Sequence, residues 1–159
     1  MKKKRRYIKT HLIKEFENQY FNYEKLKSPN FPNYARVKTS FRDDTANGLT
    51  NCICKWLTMC GHFAARVNTT GTYSMKLKRY IHSGSRNGMA DITAVVNCRH
   101  VSIEVKIGKD KLRREQMKVK DEVENAGGFY IVVSSFDNFI EQILDRFGQI
   151  WTISHGNNQ

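Results

Sequence analysis

The chain predicts an α/β protein, a mixed β-sheet of about four to five strands flanked by helices on both faces, with a basic helical extension at the N-terminus. Three observations predict it. Residues 91–96 and 101–107 are apolar, β-branched runs separated by the polar stretch 97–100, which reads as a hairpin. The second run, a helical pattern over residues 111–126 and the apolar run 129–134 form strand, helix and strand, which implies a right-handed parallel crossover. Elsewhere apolar residues recur three and four apart, as amphipathic helices require.

Taken in order, residues 7–27 carry Ile8, Leu12, Phe16 and Tyr20 four apart, with Ile13 and Tyr23 alongside. That stripe docks on the body or on a second subunit. Ser28-Pro29-Asn30-Phe31-Pro32-Asn33 ends the helix as a linker. The chain therefore divides into residues 1–33 (arm, helix and linker) and residues 34–159 (a single domain), with a short extended piece over 34–41. Asp43, Asp44 or Thr45 caps a helix that runs to about Cys60 and stops at Gly61. Its buried face is Leu49, Ile53, Trp56, Leu57 and Cys60. Residues 62–67 are a strand, and residues 74–88 a loop.

That loop holds Lys76, Lys78, Arg79 and Arg86, with Tyr73, Tyr80 and His82 interleaved. Cations among rings suit a nucleic-acid strand, charge for phosphate and rings for bases. A plain surface loop is the other reading. Ser83-Gly84-Ser85-Arg86-Asn87-Gly88 is not a P-loop, since it leads into a strand and lacks Gly-Lys-Ser/Thr. After the hairpin, Gly108-Lys109-Asp110 turns into a helix with Leu112, Gln116, Val119 and Val123 on one face. A glutamine in that apolar stripe stands out, because an unpartnered buried amide is costly. A bond to sheet backbone would equally satisfy it. Gly127-Gly128 ends the helix. Asp137 caps a last helix that buries Phe139, Ile140, Ile143, Leu144 and Phe147 and ends at Gly148. Residues 149–153 are an edge strand.

A length of 159 residues supports one core rather than two. No apolar run approaches membrane-spanning length, and Met1-Lys2-Lys3-Lys4-Arg5-Arg6 is not followed by a signal peptide's apolar segment, so the expectation is a cytoplasmic protein. Cys52 and Cys54, two apart on a helix, face different ways, so the four cysteines lack zinc-finger spacing and are expected to be reduced thiols. Net charge is +12, unevenly spread. Residues 1–42 hold 12 Lys/Arg against 3 Asp/Glu, and the remainder 15 against 12. Such an arm points to a polyanion or, more plainly, to a solvated tail.

The central hairpin carries the chemistry. With period two, Ile103, Val105 and Ile107 point one way, and Glu104 and Lys106 the other. Asp91 opens the neighbouring strand, so pairing brings it close to Glu104. Two carboxylates at one end of a sheet, beside an ammonium, make a site for a hard cation. A solvated strand face is the alternative.

This arrangement resembles the PD-(D/E)xK nuclease signature, with Asp91 as the D, Glu104 as the (D/E) and Lys106 as the K. Ala90 stands where the signature has proline. Gly88-Met89-Ala90-Asp91, Ile103-Glu104-Val105-Lys106, Gln116 and Gly127-Gly128, in that order, are similar to the VRR-NUC and phage Holliday-junction-resolvase branch over about residues 45–135. The resemblance implies a restriction-endonuclease-like core. It implies Mg²⁺ or Mn²⁺ held by Asp91, Glu104 and the Val105 carbonyl, with Lys106 and Gln116 also catalytic. Where the family often has a helix carboxylate this chain has Asn47, a ligand through its amide oxygen or simply a turn residue.

The candidate DNA contacts are Lys2, Lys3, Lys4, Arg5 and Arg6 of the arm, Arg66 and Asn68 where the family's strand ends similarly, and Lys76, Lys78, Arg79, Arg86 and Lys109. The activity implied is hydrolysis of branched DNA to 5′-phosphate and 3′-hydroxyl ends by a homodimer. A sequence-specific restriction- or homing-type endonuclease and a non-catalytic DNA-binding protein are the alternatives.

If the arm holds phosphates, deleting residues 1–6 weakens DNA binding, and each lost contact lowers the log–log salt slope by roughly 0.9. Unchanged affinity and slope would make it a tail only.

Overall fold

The computed structural model describes residues 7–67, 71–81 and 86–148. Four helices and two sheets are built from them: α1 (His11–Lys27), α2 (Ala46–Met59), β1 (Phe63–Arg66), β2 (Thr72–Ser74), β3 (Arg79–Ile81), β4 (Ile92–Val96), β5 (Arg99–Val105), α3 (Arg114–Asn125), β6 (Phe129–Val133) and α4 (Phe136–Phe147). The α/β expectation holds. The main sheet has the order β1-β4-β5-β6, antiparallel except for the parallel pair β5–β6, and β2 and β3 form a separate hairpin.

The alternation along the strands sorts the molecule into layers. Ile92, Ala94, Val96, Val101, Ile103 and Ile131 face a core shared with α1, α2 and α4. On the other face Tyr130 packs with Ala90 and with Val119 of α3. Strand β5 is thus covered on both sides, and its last five residues, Val101 to Val105, are all buried. Glu104 and Lys106 therefore lie beneath α3 and the loop before it rather than on a solvated strand face. The β4–β5 turn is two residues, not four. Asn97 and Cys98 both have positive φ, 47° and 62°, as the hairpin turn that matches strand twist demands, so β5 already begins at Arg99.

Helix α1 is part of the main core. Phe16 stacks on Phe41 and Phe136 at 4.4 and 5.2 Å between ring centroids. The helix begins at His11, not Tyr7, because Thr10 accepts from the Ile13 amide and starts the turn there. Tyr7 instead donates to Asp43 at 2.8 Å. Residues 34–41 are not a strand. A short 3₁₀ turn, Asn33–Ala35, opens them, and the Phe41 amide donates to the buried Glu17 carboxylate of α1 at 2.7 Å, satisfied by a side chain instead of a neighbouring strand. The supposed loop 74–88 takes in the last residue of β2 and all of β3, whose backbones pair around a turn at Lys78 (φ 49°).

Thr45 is the cap of α2 among the three candidates, accepting from the Gly48 amide at 3.1 Å. On the buried face of α2, Leu49, Ile53, Trp56 and Leu57 are fully enclosed and Cys60 only partly. Helix α3 starts at Arg114, so Leu112 precedes it and packs in the smaller cluster from the loop. Ser135 caps α4, displacing the expected Asp137. Asp137 sits one residue inside the helix and accepts from the Thr10 hydroxyl at 2.9 Å. Gly148 ends α4 with φ 70°. The edge strand read over residues 149–153 lies outside the described residues. Among the described residues, no helix is long and apolar enough to cross a membrane.

Because Phe16 is 1% exposed among three aromatic neighbours, Phe16→Ala should cost about 3–5 kcal/mol in denaturant unfolding. A loss below 1 kcal/mol would show α1 to be a dispensable extension.

Candidate functional site

At the end of β4 and β5 the hairpin register sets Ile92 against Ile103, which makes Asp91 and Glu104 cross-strand neighbours on the α3 face. Asp91 is fixed by the backbone, its Oδ2 accepting from the Val105 amide at 2.9 Å. Glu104 is 2% exposed. Its Oε1 accepts from Lys106 Nζ at 2.9 Å and from Gln116 Nε2 at 2.5 Å, and the Tyr130 hydroxyl approaches Oε2 at 3.5 Å. Lys106 also reaches Asp110 Oδ2 at 3.3 Å. The anomalous glutamine of the α3 stripe thus contacts the carboxylate directly, and its Oε1 accepts from the Arg113 amide at 2.9 Å. Of the two readings for Gln116, a partner at the acidic site and an amide bonded to sheet backbone, the structure shows the first.

Glycine holds Gln116 in place. A Cβ on Gly88 would lie 2.5 Å from the Glu115 carbonyl oxygen and 3.1 Å from the Gln116 nitrogen, at a φ of 84°. Only glycine lets the loop before β4 press against the first turn of α3. Asn87, Gly88, Met89, Arg113, Glu115 and Gln116 line a cavity of about 360 Å³ there.

The charges are unequally content. Burial raises the Glu104 pKa above the usual carboxylate value. The Lys106 hydrogen bond opposes this, and the Asp91 charge adds to it. Burial also works against the Lys106 ammonium, but Glu104 and Asp110 outweigh it and its pKa rises. Lys106 is therefore firmly charged, while Glu104 carries an unfavourable charge that an added cation would relieve. Tyr130 is raised well above its ordinary value by burial and by Glu104.

Other predicted residues are placed elsewhere. Asn47 Oδ1 accepts from Arg66 at 2.7 Å, so each occupies the other where α2 begins and β1 ends. Arg86 forms a two-pronged pair with Glu122 of α3, at 2.5 and 2.7 Å. Lys109 is exposed in the turn after β5. Lys76, Lys78 and Arg79 are exposed on the β2–β3 hairpin. Lys2, Lys3, Lys4, Arg5, Arg6 and Asn68 lie outside the described residues. Burial pushes the Cys52 and Cys60 thiols up to about 12, so both stay protonated at neutral pH. Sequence reasoning missed Tyr130 and Asp110. Tyr130 had one visible signal, a lone hydroxyl in a strand otherwise apolar. Asp110 had none, because its contact depends on how the turn folds back.

Among the described residues, no three His, Cys, Asp or Glu side chains converge. The site is a pair of carboxylates with an ammonium and an amide, at one end of a mixed sheet in an α/β chain. No protein-family model matches the chain, and no curated protein matches its sequence.

Since the Glu104 pKa is higher folded than unfolded, the folded chain binds the extra proton between the two values. The stability tied to that proton is present below the unfolded carboxylate pKa and is lost as pH rises through the folded one. Glu104→Gln cannot lose it. In metal-free buffer the variant's Tm, relative to the parent's, should climb as pH rises above the ordinary carboxylate value and level off once Glu104 is ionised in the folded chain. A flat difference would mean that Glu104 ionises freely.

Proposed function

We propose that the chain is a metal-dependent DNA endonuclease of the PD-(D/E)xK type, with a restriction-endonuclease-like core and branched DNA as substrate. The observation that carries this reading is the buried Glu104 gripped by Lys106 and Gln116, with Asp91 as its cross-strand neighbour. A pattern of surface charge would put these groups in water, where an acid and a base two apart need no partners. Here they are enclosed and mutually bonded.

The donor set fits a hard divalent cation. Two carboxylates lie on one strand pair, and the Glu104 pKa is raised by burial first, with the Asp91 charge adding to it, so a cation between them would favour the ionised form. Asp91, Glu104 and the Val105 carbonyl would hold Mg²⁺ or Mn²⁺. Such an ion, when bound, neutralises a phosphate and acidifies a bound water. The protein supplies the rest. Lys106, kept protonated by two carboxylates, is a donor and not a general base. It orients the attacking oxygen and stabilises the charge that develops on the phosphate. Gln116 holds the Glu104 carboxylate in one orientation. Asn47 joins the donor set only if Arg66 releases its amide oxygen. Homodimerisation and contacts through the arm belong to the same proposal.

The test is incubation with four-way junction, flap and linear duplex, with and without Mn²⁺. The parent cleaves only with metal, and prefers the branched forms. Asp91→Asn, Glu104→Gln and Lys106→Met abolish cleavage, and Gln116→Ala lowers turnover while the melting profile stays intact. Mn²⁺ at a hundred times its Kd stabilises the parent by about 2.7 kcal/mol and leaves Asp91→Asn unchanged. A parent that neither cleaves nor gains Tm with Mn²⁺ would be a non-catalytic binder. Cleavage surviving in Asp91→Asn, with contaminating nuclease excluded, would sink the site.

A further inference from the structure

The β2–β3 hairpin has a composition that the cleavage chemistry does not use. Its turn projects Met75, 82% exposed, and Leu77, 53% exposed, with Tyr80 at 69% on the returning strand. Three large apolar side chains this open to water and gathered on one short hairpin mark a candidate contact surface, where single scattered ones would not. Between them stand Lys76, Lys78 and Arg79, and residues 71–81 contain no acidic residue. Tyr73 and Tyr80, paired across the hairpin, meet edge to face at 5.7 Å, so the rings stiffen it.

The hairpin is rooted at the carboxylates. The chain leaves β1 at Val67, whose amide donates to the Asp91 carbonyl at 2.8 Å. It returns through Arg86, paired with Glu122 of α3, and Gly88, pressed on the turn that carries Gln116. Both ends of the excursion are thus tied beside Asp91 and Gln116. From Val67 to Leu77 is ten residues, a reach of up to roughly 30 Å at about 3.3 Å per extended residue.

Resting on the nuclease reading, we infer that this hairpin is a strand-parting wedge, and that the substrate is DNA with a branch or unpaired bases within its reach. Met75 and Leu77 enter between bases whose stacking is already interrupted, as apolar wedges do at deformable steps. Tyr80 offers a ring to an unpaired base, and the three cations hold the flanking phosphates. Continuous duplex, which must be unstacked first, is disfavoured. Charge selects a polyanion, and the root beside two carboxylates selects nucleic acid over an anionic lipid surface, which a basic, apolar tip would also suit.

The experiment uses the full chain in EDTA, with a four-way junction and a continuous duplex each carrying 2-aminopurine, at the branch or mid-duplex. The parent raises fluorescence at the branch and binds the junction more tightly. Met75→Ser/Leu77→Ser loses the fluorescence rise and roughly tenfold of the junction preference, with its salt slope retained. Lys76→Ser/Lys78→Ser lowers that slope by about 1.8. Both variants alter only exposed side chains, and circular dichroism and Tm matching the parent's confirm that they are folded.

Cleavage with Mn²⁺ is read separately. Parent cleavage without any change in branch fluorescence, or an apolar variant indistinguishable from the parent, overturns the wedge and leaves the nuclease reading standing. A hairpin-dependent fluorescence rise in a chain that never cleaves supports the wedge and removes the nuclease. Hairpin-dependent sedimentation with phosphatidylserine vesicles, without a fluorescence response to DNA, overturns the wedge in favour of a membrane contact.

Discussion

Taking the Glu104–Lys106 pair out of water is the constraint around which this molecule is arranged. Two buried ions cost several kcal/mol each in desolvation, and their attraction offsets this only when the remaining hydrogen-bonding capacity is used. Gln116 reaches over from α3, Tyr130 approaches from the parallel strand, and Asp110 folds back from the turn. Each partner comes from a different element, so β5, β6, α3 and the turn between them must all be in place together. Asp91, whose carboxylate accepts from the Val105 amide, adds its negative charge to the burial that already raises the Glu104 pKa.

On the opposite face the same economy of polar groups ties the N-terminal helix to the body. Asp43, buried, accepts from Tyr7 through one oxygen and from the Phe136 amide, one of the unpaired donors at the start of α4, through the other. Glu17 receives Lys9 and the Phe41 amide. The aromatic stack of Phe16, Phe41 and Phe136 fills the space between these two anchors. Helix α1, which its sequence suggests as an appendage beside a linker, is thereby part of the main core that supports the sheet from below.

Positive charge is distributed in two ways with different consequences. Arg86 and Arg66 are engaged by Glu122 and Asn47 and act as ties between elements. Lys76, Lys78 and Arg79 are exposed on a hairpin without acidic neighbours in the chain. Both groups read alike in the sequence as candidate DNA contacts. What separates them is whether a carboxylate or an amide on another element lies within reach, and that is a property of the fold.

Period-two and period-four patterns determined much by themselves. They placed the β4–β5 hairpin, the parallel crossover through α3 and the apolar face of α2, because these depend on short-range geometry repeated along the chain, whereas the register that sets Asp91 beside Glu104 came from the two-residue turn at Asn97 and Cys98. Gln116 was legible as an anomaly, since an amide in an apolar stripe needs a partner. The tertiary structure alone decided which partner. It also decided that Ser135 and not Asp137 caps α4, that the Phe41 amide bonds to Glu17 instead of a strand, and that Lys106 faces Asp110. Each of those outcomes turns on a single hydrogen bond or ion pair competing with close alternatives. Such competitions are settled by which distant groups the packed elements bring within about 3 Å, and local pattern carries no record of that distance.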